Sequence, residues 1–160
     1  MTVLRFATHL WFDSRAVEAA ELYTSLLPDS RIDRVVTAPE GVPGAERGAP
    51  FFVDLTLVGQ QYTFLNGGPL FPFDAQVSLY LLCDGQEEVD RYWAALLDGG
   101  GHEQQCGWLS DRFGLSWQII PETLERLMAD PDPAVTARVT AAMLQMVRLD
   151  VAALEAAARG

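Results

Sequence analysis

The sequence predicts an α+β fold made of two tandem βαβββ modules with a C-terminal helical extension. Three observations lead there. Strand and helix periodicities come in the order strand, helix, then three strands, and that order occurs twice. Sliding the chain by seventy positions lays Glu18 on Glu88, Leu22 on Tyr92, Tyr23 on Trp93, Leu26 on Leu96 and Leu27 on Leu97. The last forty residues carry helical spacing only. The modules are read as residues 1–73 and 74–121, with helices over 122–160.

Leu4–Phe12 alternates and reads as a strand. Ser14–Leu27 reads as a helix with Asp13 or Ser14 as its N-cap and Pro28 past its end. The next strand is expected at Ile32–Thr37. Ala38–Pro50 is rich in Gly and Pro without periodicity and reads as a mobile loop. Phe51–Val58 and Gln61–Asn66 form a hairpin turning near Gly59.

The second module repeats the pattern with a strand at Gln76–Cys83 and a helix at Gln86–Leu97, stopped by Gly99-Gly100-Gly101. Short strands are expected around Glu103–Gln105 and Trp108, and a longer one at Leu115–Ile120. Pro121–Met128, Pro133–Met146 and Val151–Ala158 read as helices. The shift of seventy also places Thr8 on Ser78 and Phe12 on Leu82; a shift of fifty-two places Asn66 on Gln118.

Composition excludes several functions. All eleven basic residues are Arg, so neither a Schiff-base lysine nor a phosphate-loop lysine is present. Twenty-two acidic residues bring the formal charge to −11, which disfavours nucleic acid and anionic membrane surfaces. With 49% hydrophobic and 21% charged residues the chain is an ordinary globular one. Two cysteines, Cys83 and Cys106, make no disulfide framework. No apolar run approaches the roughly 18 residues of a membrane span, and the N-terminus has no signal-like stretch, so a cytoplasmic location is expected.

The duplicated order, with four motifs, resembles the vicinal oxygen chelate superfamily of glyoxalases, extradiol dioxygenases and bleomycin-resistance proteins, and within it the PhnB-like branch. The motifs are His9-Leu10-Trp11-Phe12-Asp13, Leu65-Asn66-Gly67-Gly68-Pro69, Glu87-Glu88-Val89-Asp90-Arg91-Tyr92-Trp93, and the long run from Cys106 through Asp111 to Gln118. Some members carry a 3-demethylubiquinone-9 3-methyltransferase label. This sequence has no Gly-rich turn after its first strand to seat S-adenosylmethionine.

The resemblance implies half-barrel sheets that enclose a cavity, frequent homodimers and, in metal-dependent members, ligands from the first and last strand of each module. Carried over, those positions are Thr8, Asn66, Ser78 and Gln118. Four neutral hydroxyl and amide groups hold a divalent ion weakly, so no tight metal site and no cofactor are expected, with weak divalent binding left open.

His9 stays open between two roles. Alternation sets it with Ala7 and Trp11, opposite Thr8 and Leu10, and the repeat matches it to Leu79 under a helix, which makes it structural. A slip of one residue would instead make it a cavity-facing acid or base. His102 is expected in solvent, Asp54 on a wet sheet face, Cys106 as an inert thiol, and Glu87, Glu88 and Asp90 as features of a helix start. Trp93 and Trp117 read as core, whereas Trp108, Phe71 and Phe73 stand near a cavity mouth or seal a dimer interface.

The expected function is metal-independent binding of a small apolar or aromatic molecule by Thr8, Asn66, Ser78 and Gln118, with Phe64, Tyr80 and Trp108 as walls. A metal-assisted lyase or dioxygenase using His9 and Gln118 is one alternative. An antibiotic-sequestering resistance protein is another. A homodimer is expected because Val135, Val139, Met143 and Met146 exceed what one small module needs.

Overall fold

Alternating burial along each strand decides which side of a sheet meets a helix. The computed structural model describes residues 6–42 and 45–160. The chain divides into two compact units, one running through Phe73 and the other spanning Asp74–Gly160. Part of the predicted first strand (Leu4 and Arg5), and Pro43 and Gly44 of the predicted loop, lie outside the described residues.

In the first unit β1 (Thr8–Phe12) leads into α1 (Ala16–Leu26), β2 (Arg31–Thr37), β3 (Pro50–Leu57) and β4 (Gln60–Asn66). The sheet order is β1-β4-β3-β2, with β1 parallel to β4 and the remaining pairs antiparallel. Helix α1 packs on one face over β2, β3 and β4. That face carries Leu10, Phe12, Val53, Leu55 and Phe64, all buried, with Tyr23 of α1 edge-on to Phe64 at 5.9 Å. The loop after β2 is closed at its base, where Ala38 N–H donates to Ala49 and Gly48 N–H to Ala38.

The cap of α1 is not the predicted one. The helix begins at Ala16, and neither Asp13 nor Ser14 is its N-cap. The Asn66 side chain, fifty residues on, accepts the Ala16 N–H at 2.8 Å, so an orphan donor of the first turn is satisfied from β4.

The second unit repeats the plan with β5 (Ser78–Cys83), α2 (Gly85–Leu97), β6 (His102–Glu103), β7 (Trp108–Ser110) and β8 (Ser116–Pro121), in sheet order β5-β8-β7-β6. Helix α2 covers the face that holds Leu109, Trp117 and Ile119. Trp93 and Trp117 are core residues, as their spacing predicts. At the start of α2 the Glu88 carboxylate accepts the Asp84 N–H at 2.9 Å, a capping role for the acidic cluster.

The extension folds as α3 (Glu122–Met128), α4 (Pro133–Met143) and α5 (Val151–Arg159). Leu124, Leu127, Val139, Leu149 and Leu154 form one buried cluster with Ile120 of β8, and Val135, Met143 and Met146 pack against it. Each such aliphatic side chain contributes about 2 kcal/mol by leaving water. Backbone bonds add to the attachment, since Cys106 N–H and Gly107 N–H donate to Met146 and Val147 at 2.8 Å. The apolar residues behind the dimer expectation are therefore occupied within the second unit. No helix among the described residues is long and apolar enough to cross a membrane.

Candidate functional site

Each sheet has a second face, turned away from its helix, and the side chains on it decide what the module can hold. In the first sheet the pairing sets His9 beside Thr63, Asp54 beside Thr63 and Arg34, and Trp11 beside Leu65. His9, Thr63 and Asp54 alternate with the buried Leu10, Phe64 and Val53, so they occupy the open face.

His9 is exposed on that open face, edge-on to Phe52 with ring centroids 6.3 Å apart, and does not lie under α1. The shift of seventy fits the helices, where Tyr23 and Trp93 are both buried, but fails on the strands. Phe12 and Cys83 are the buried last residues of β1 and β5, and they stand seventy-one positions apart. The connectors differ as well: Asp13, Ser14 and Arg15 join β1 to α1, whereas Asp84 alone joins β5 to α2. The strands are thus one residue out of phase with the helix repeat, and a slip of one moves every side chain to the other face. Leu10 consequently faces α1 while its repeat partner Tyr80 faces away.

The same slip redistributes the four expected ligand positions. Thr8 pairs with Tyr62 in the row next to Leu10 and Phe64, on the helix side. Asn66 is engaged by Ala16 N–H and also donates to the Pro50 carbonyl at 3.0 Å. Phe64 is 0% exposed, stacked among Phe12, Tyr23 and Tyr62, and so belongs to the core rather than to a ligand wall. Phe71 and Phe73 also turn to the first unit, against Trp11 and Phe12 at 5.0 Å.

In the second sheet the expected residues do converge. Trp108, Gln118 and Tyr80 form one cross-strand row, and Ser78 lies one step along the same face. The Gln118 amide donates to the Ser78 hydroxyl at 2.9 Å. Tyr80 is half exposed and donates its hydroxyl to Glu125 of α3 at 2.8 Å. Burial first, and then the bond to and charge of Glu125, push the Tyr80 phenol up to about 12.

The first open face has a different character: Asp54 stands on it as expected, but sequence reasoning missed the partners it gathers. Thr63 donates to Asp54 at 2.8 Å, and Arg34 donates to the same carboxylate through Nε and Nη2 at 3.0 and 2.6 Å. Burial raises the Asp54 pKa, but the bonds from Thr63 and Arg34 and the Arg34 charge outweigh it and hold the carboxyl below its ordinary value. A bulge between Ile32 and Arg34 adds Asp33 to this face, where it accepts from Thr56 at 2.7 Å and pairs with Arg31 at 2.7 Å. A cavity of about 660 Å³ is lined by Arg31, Asp33, Arg34, Asp54, Gln61 and Thr63, with Phe6, Ala7 and Tyr62. The signal was a missing phase: the bulge puts adjacent residues of β2 on one face, where strict alternation would separate them.

The motifs are largely structural stitches. Trp11 Nε1 donates to the Gly68 carbonyl at 2.8 Å, and a Cβ at Gly67 would lie 2.3 Å from the Trp11 ring. Asp111 is 2% exposed and accepts from Phe113 and Leu115 backbone N–H and from Trp117 Nε1, which shapes the turn before β8. Cys83 is buried and burial pushes its thiol up to about 12, an inert setting.

The donor set does not suit a divalent ion. Thr8 and Asn66 lie on a helix-facing side, Ser78 and Gln118 are neutral, and among the described residues no three His, Cys, Asp or Glu gather in metal-binding range.

The sequence profile of the 3-demethylubiquinone-9 3-methyltransferase family matches residues 4–120. The chain belongs to that family. A solved structure of a PhnB protein from Bacillus cereus, which carries the same family name, is similar over 74% of this chain and 99% of its own, at 30% identity and a TM-score of 0.66. A protein from Pseudomonas aeruginosa shares the fold over 74% of this chain and 98% of its own, at 20% identity and a TM-score of 0.60. No protein of curated function matches significantly. The residues matched by the family end where the helical extension of this chain begins.

Proposed function

We propose that this PhnB-like protein is a vicinal oxygen chelate protein that binds a small apolar or aromatic molecule on the open face of its second sheet without a tightly held metal. The row Trp108–Gln118–Tyr80, with Ser78 beside it, carries the reading. Aromatic walls around a few neutral hydrogen-bonding groups suit a mostly uncharged ligand. The methyl-transfer activity in the family's name finds no support in the residues, because β1 is not followed by a Gly-rich turn that could seat S-adenosylmethionine.

The test is ligand-dependent thermal stabilisation across a panel of small aromatics, with metal analysis of the same preparation. Stabilisation lost in Trp108→Ala and Gln118→Ala, without bound metal, is the expected result. Near-stoichiometric zinc, nickel, manganese or iron would overturn the metal-free reading. The exposed position of His9 favours a second reading, an enzyme with His9 as acid or base, possessing metal-stimulated turnover that His9→Ala removes. A homodimer is proposed from the resemblance alone; sedimentation showing only monomer at micromolar concentration would refute it.

A further inference from the structure

The family's sequence profile stops at residue 120, and the B. cereus protein covers 74% of this chain while using 99% of its own. The C-terminal helices are therefore added structure. They reach the open face of the second sheet at two points. Ile120 lies two residues beyond Gln118 on the same face, and the cluster of Leu124, Leu127 and Val139 packs on it. Within α3, Glu125 reaches Tyr80.

The hydrogen-bond direction matters more than the contact. Tyr80 gives its only proton to Glu125, so the phenol presents lone pairs to anything approaching it. A carboxylate is an acceptor too. Gln118 spends one amide N–H on Ser78 and keeps a second N–H together with its carbonyl oxygen, so it can meet a donor or an acceptor. Trp108 stands on the other side of Gln118 and offers an aromatic face. The Glu125 carboxylate, with the Tyr80 lone pairs and an aromatic ring beside it, favours a positively charged group that carries N–H donors.

We propose that the C-terminal extension is a specificity element, and that Glu125, held by Tyr80, directs the second open face toward ligands bearing an ammonium group. The inference rests on the small-molecule reading above and narrows its ligand class to aromatic or apolar amines.

Three probes of one shape test it on the full-length chain: benzylamine, benzyl alcohol and benzoate at neutral pH. Binding is followed through the Trp108 indole N–H signal by NMR, assigned with Trp108→Phe. Benzylamine, as its ammonium, is expected to bind more tightly than either analogue. Glu125→Gln is expected to weaken it about three- to five-fold, the scale of an exposed ion pair, while leaving benzyl alcohol unchanged. Tyr80→Phe removes the bond that positions Glu125 and is expected to weaken benzylamine more than benzyl alcohol. Glu155→Gln, on α5 and paired with Arg126 at 3.5 Å, serves as a control that leaves all three affinities as they were.

Equal binding of benzylamine and benzyl alcohol, or an unchanged benzylamine affinity in Glu125→Gln, would overturn the proposal and leave the small-molecule reading standing. No shift with any of the three probes would remove both.

Discussion

The two modules share an element order and a sheet topology, yet their open faces differ in chemistry. The first carries two Arg–Asp pairs, Arg34–Asp54 and Arg31–Asp33, stitched by Thr63 and Thr56. The second carries Trp108, Gln118, Tyr80 and Ser78. The helix-facing sides, by contrast, are alike in kind, since both must bury apolar side chains against a helix. The two modules thus match on the constrained face and differ on the unconstrained one. A repeat is a good guide to packing and a poor guide to site chemistry.

The way each module braces its last strand also differs, and that difference can be broken deliberately. In the second module the buried Asp111 carboxylate collects three N–H donors from the turn and from Trp117. Asp111→Ala leaves those donors unsatisfied and is expected to cost about 3 kcal/mol. A fall in the urea midpoint, read by tryptophan fluorescence, checks it; a midpoint unchanged from the parent would mean the carboxylate is not what holds the turn.

The first module instead fits glycine against an indole. Gly67→Ala drives a methyl into the Trp11 ring and is expected to cost about 2 kcal/mol as the ring shifts. Gly67 lacks the left-handed φ that strains a side chain at Gly59, whose φ is 77°, so its loss is the clash with the ring. A Gly67→Ala urea midpoint equal to the parent's would show that the Trp11 ring gives way without cost.

The smallest expected effect concerns the charged face. Asp54 is held below its ordinary value of 3.8, so the folded state favours the ionised carboxylate. Its contribution to stability is complete above that value and is lost as pH falls through the depressed folded pKa. Because Arg34 is largely exposed, the contribution is expected to stay below about 1 kcal/mol. Comparing acid unfolding of the parent and Asp54→Asn isolates it. A variant with the parental slope in the acid limb would show that the pair adds nothing to stability.

Much of the fold was legible because its signals are local. Helices α1 and α2, the hairpin around Gly59 and the three C-terminal helices fall close to their predicted limits. Trp93 and Trp117 are core residues for the same reason, since periodicity alone places them toward the helix–sheet interface. The common face of Ser78, Tyr80, Trp108 and Gln118 was legible too. The faces of the first-module positions were not. Thr8 turned to the helix side because β1 and β5 repeat at seventy-one positions while the helices repeat at seventy, and Phe64 and Asn66 follow it because β4 pairs them with Leu10 and Phe12. The use of Asn66 as a helix cap across fifty residues has no local signature at all.

The amino-acid order by itself determined the two modules, the extension and the absence of lysine, because these depend on composition and on periods of 2 and 3.6 residues. Tertiary structure alone decided the direction of His9, the fate of Asn66, the bulge that gathers Asp33 with Arg34, and the meeting of Glu125 with Tyr80. Those outcomes depend on strand register and on contacts between distant segments. A register is an integer, and a shift of one residue between strand and helix is enough to exchange a core side chain for a site side chain.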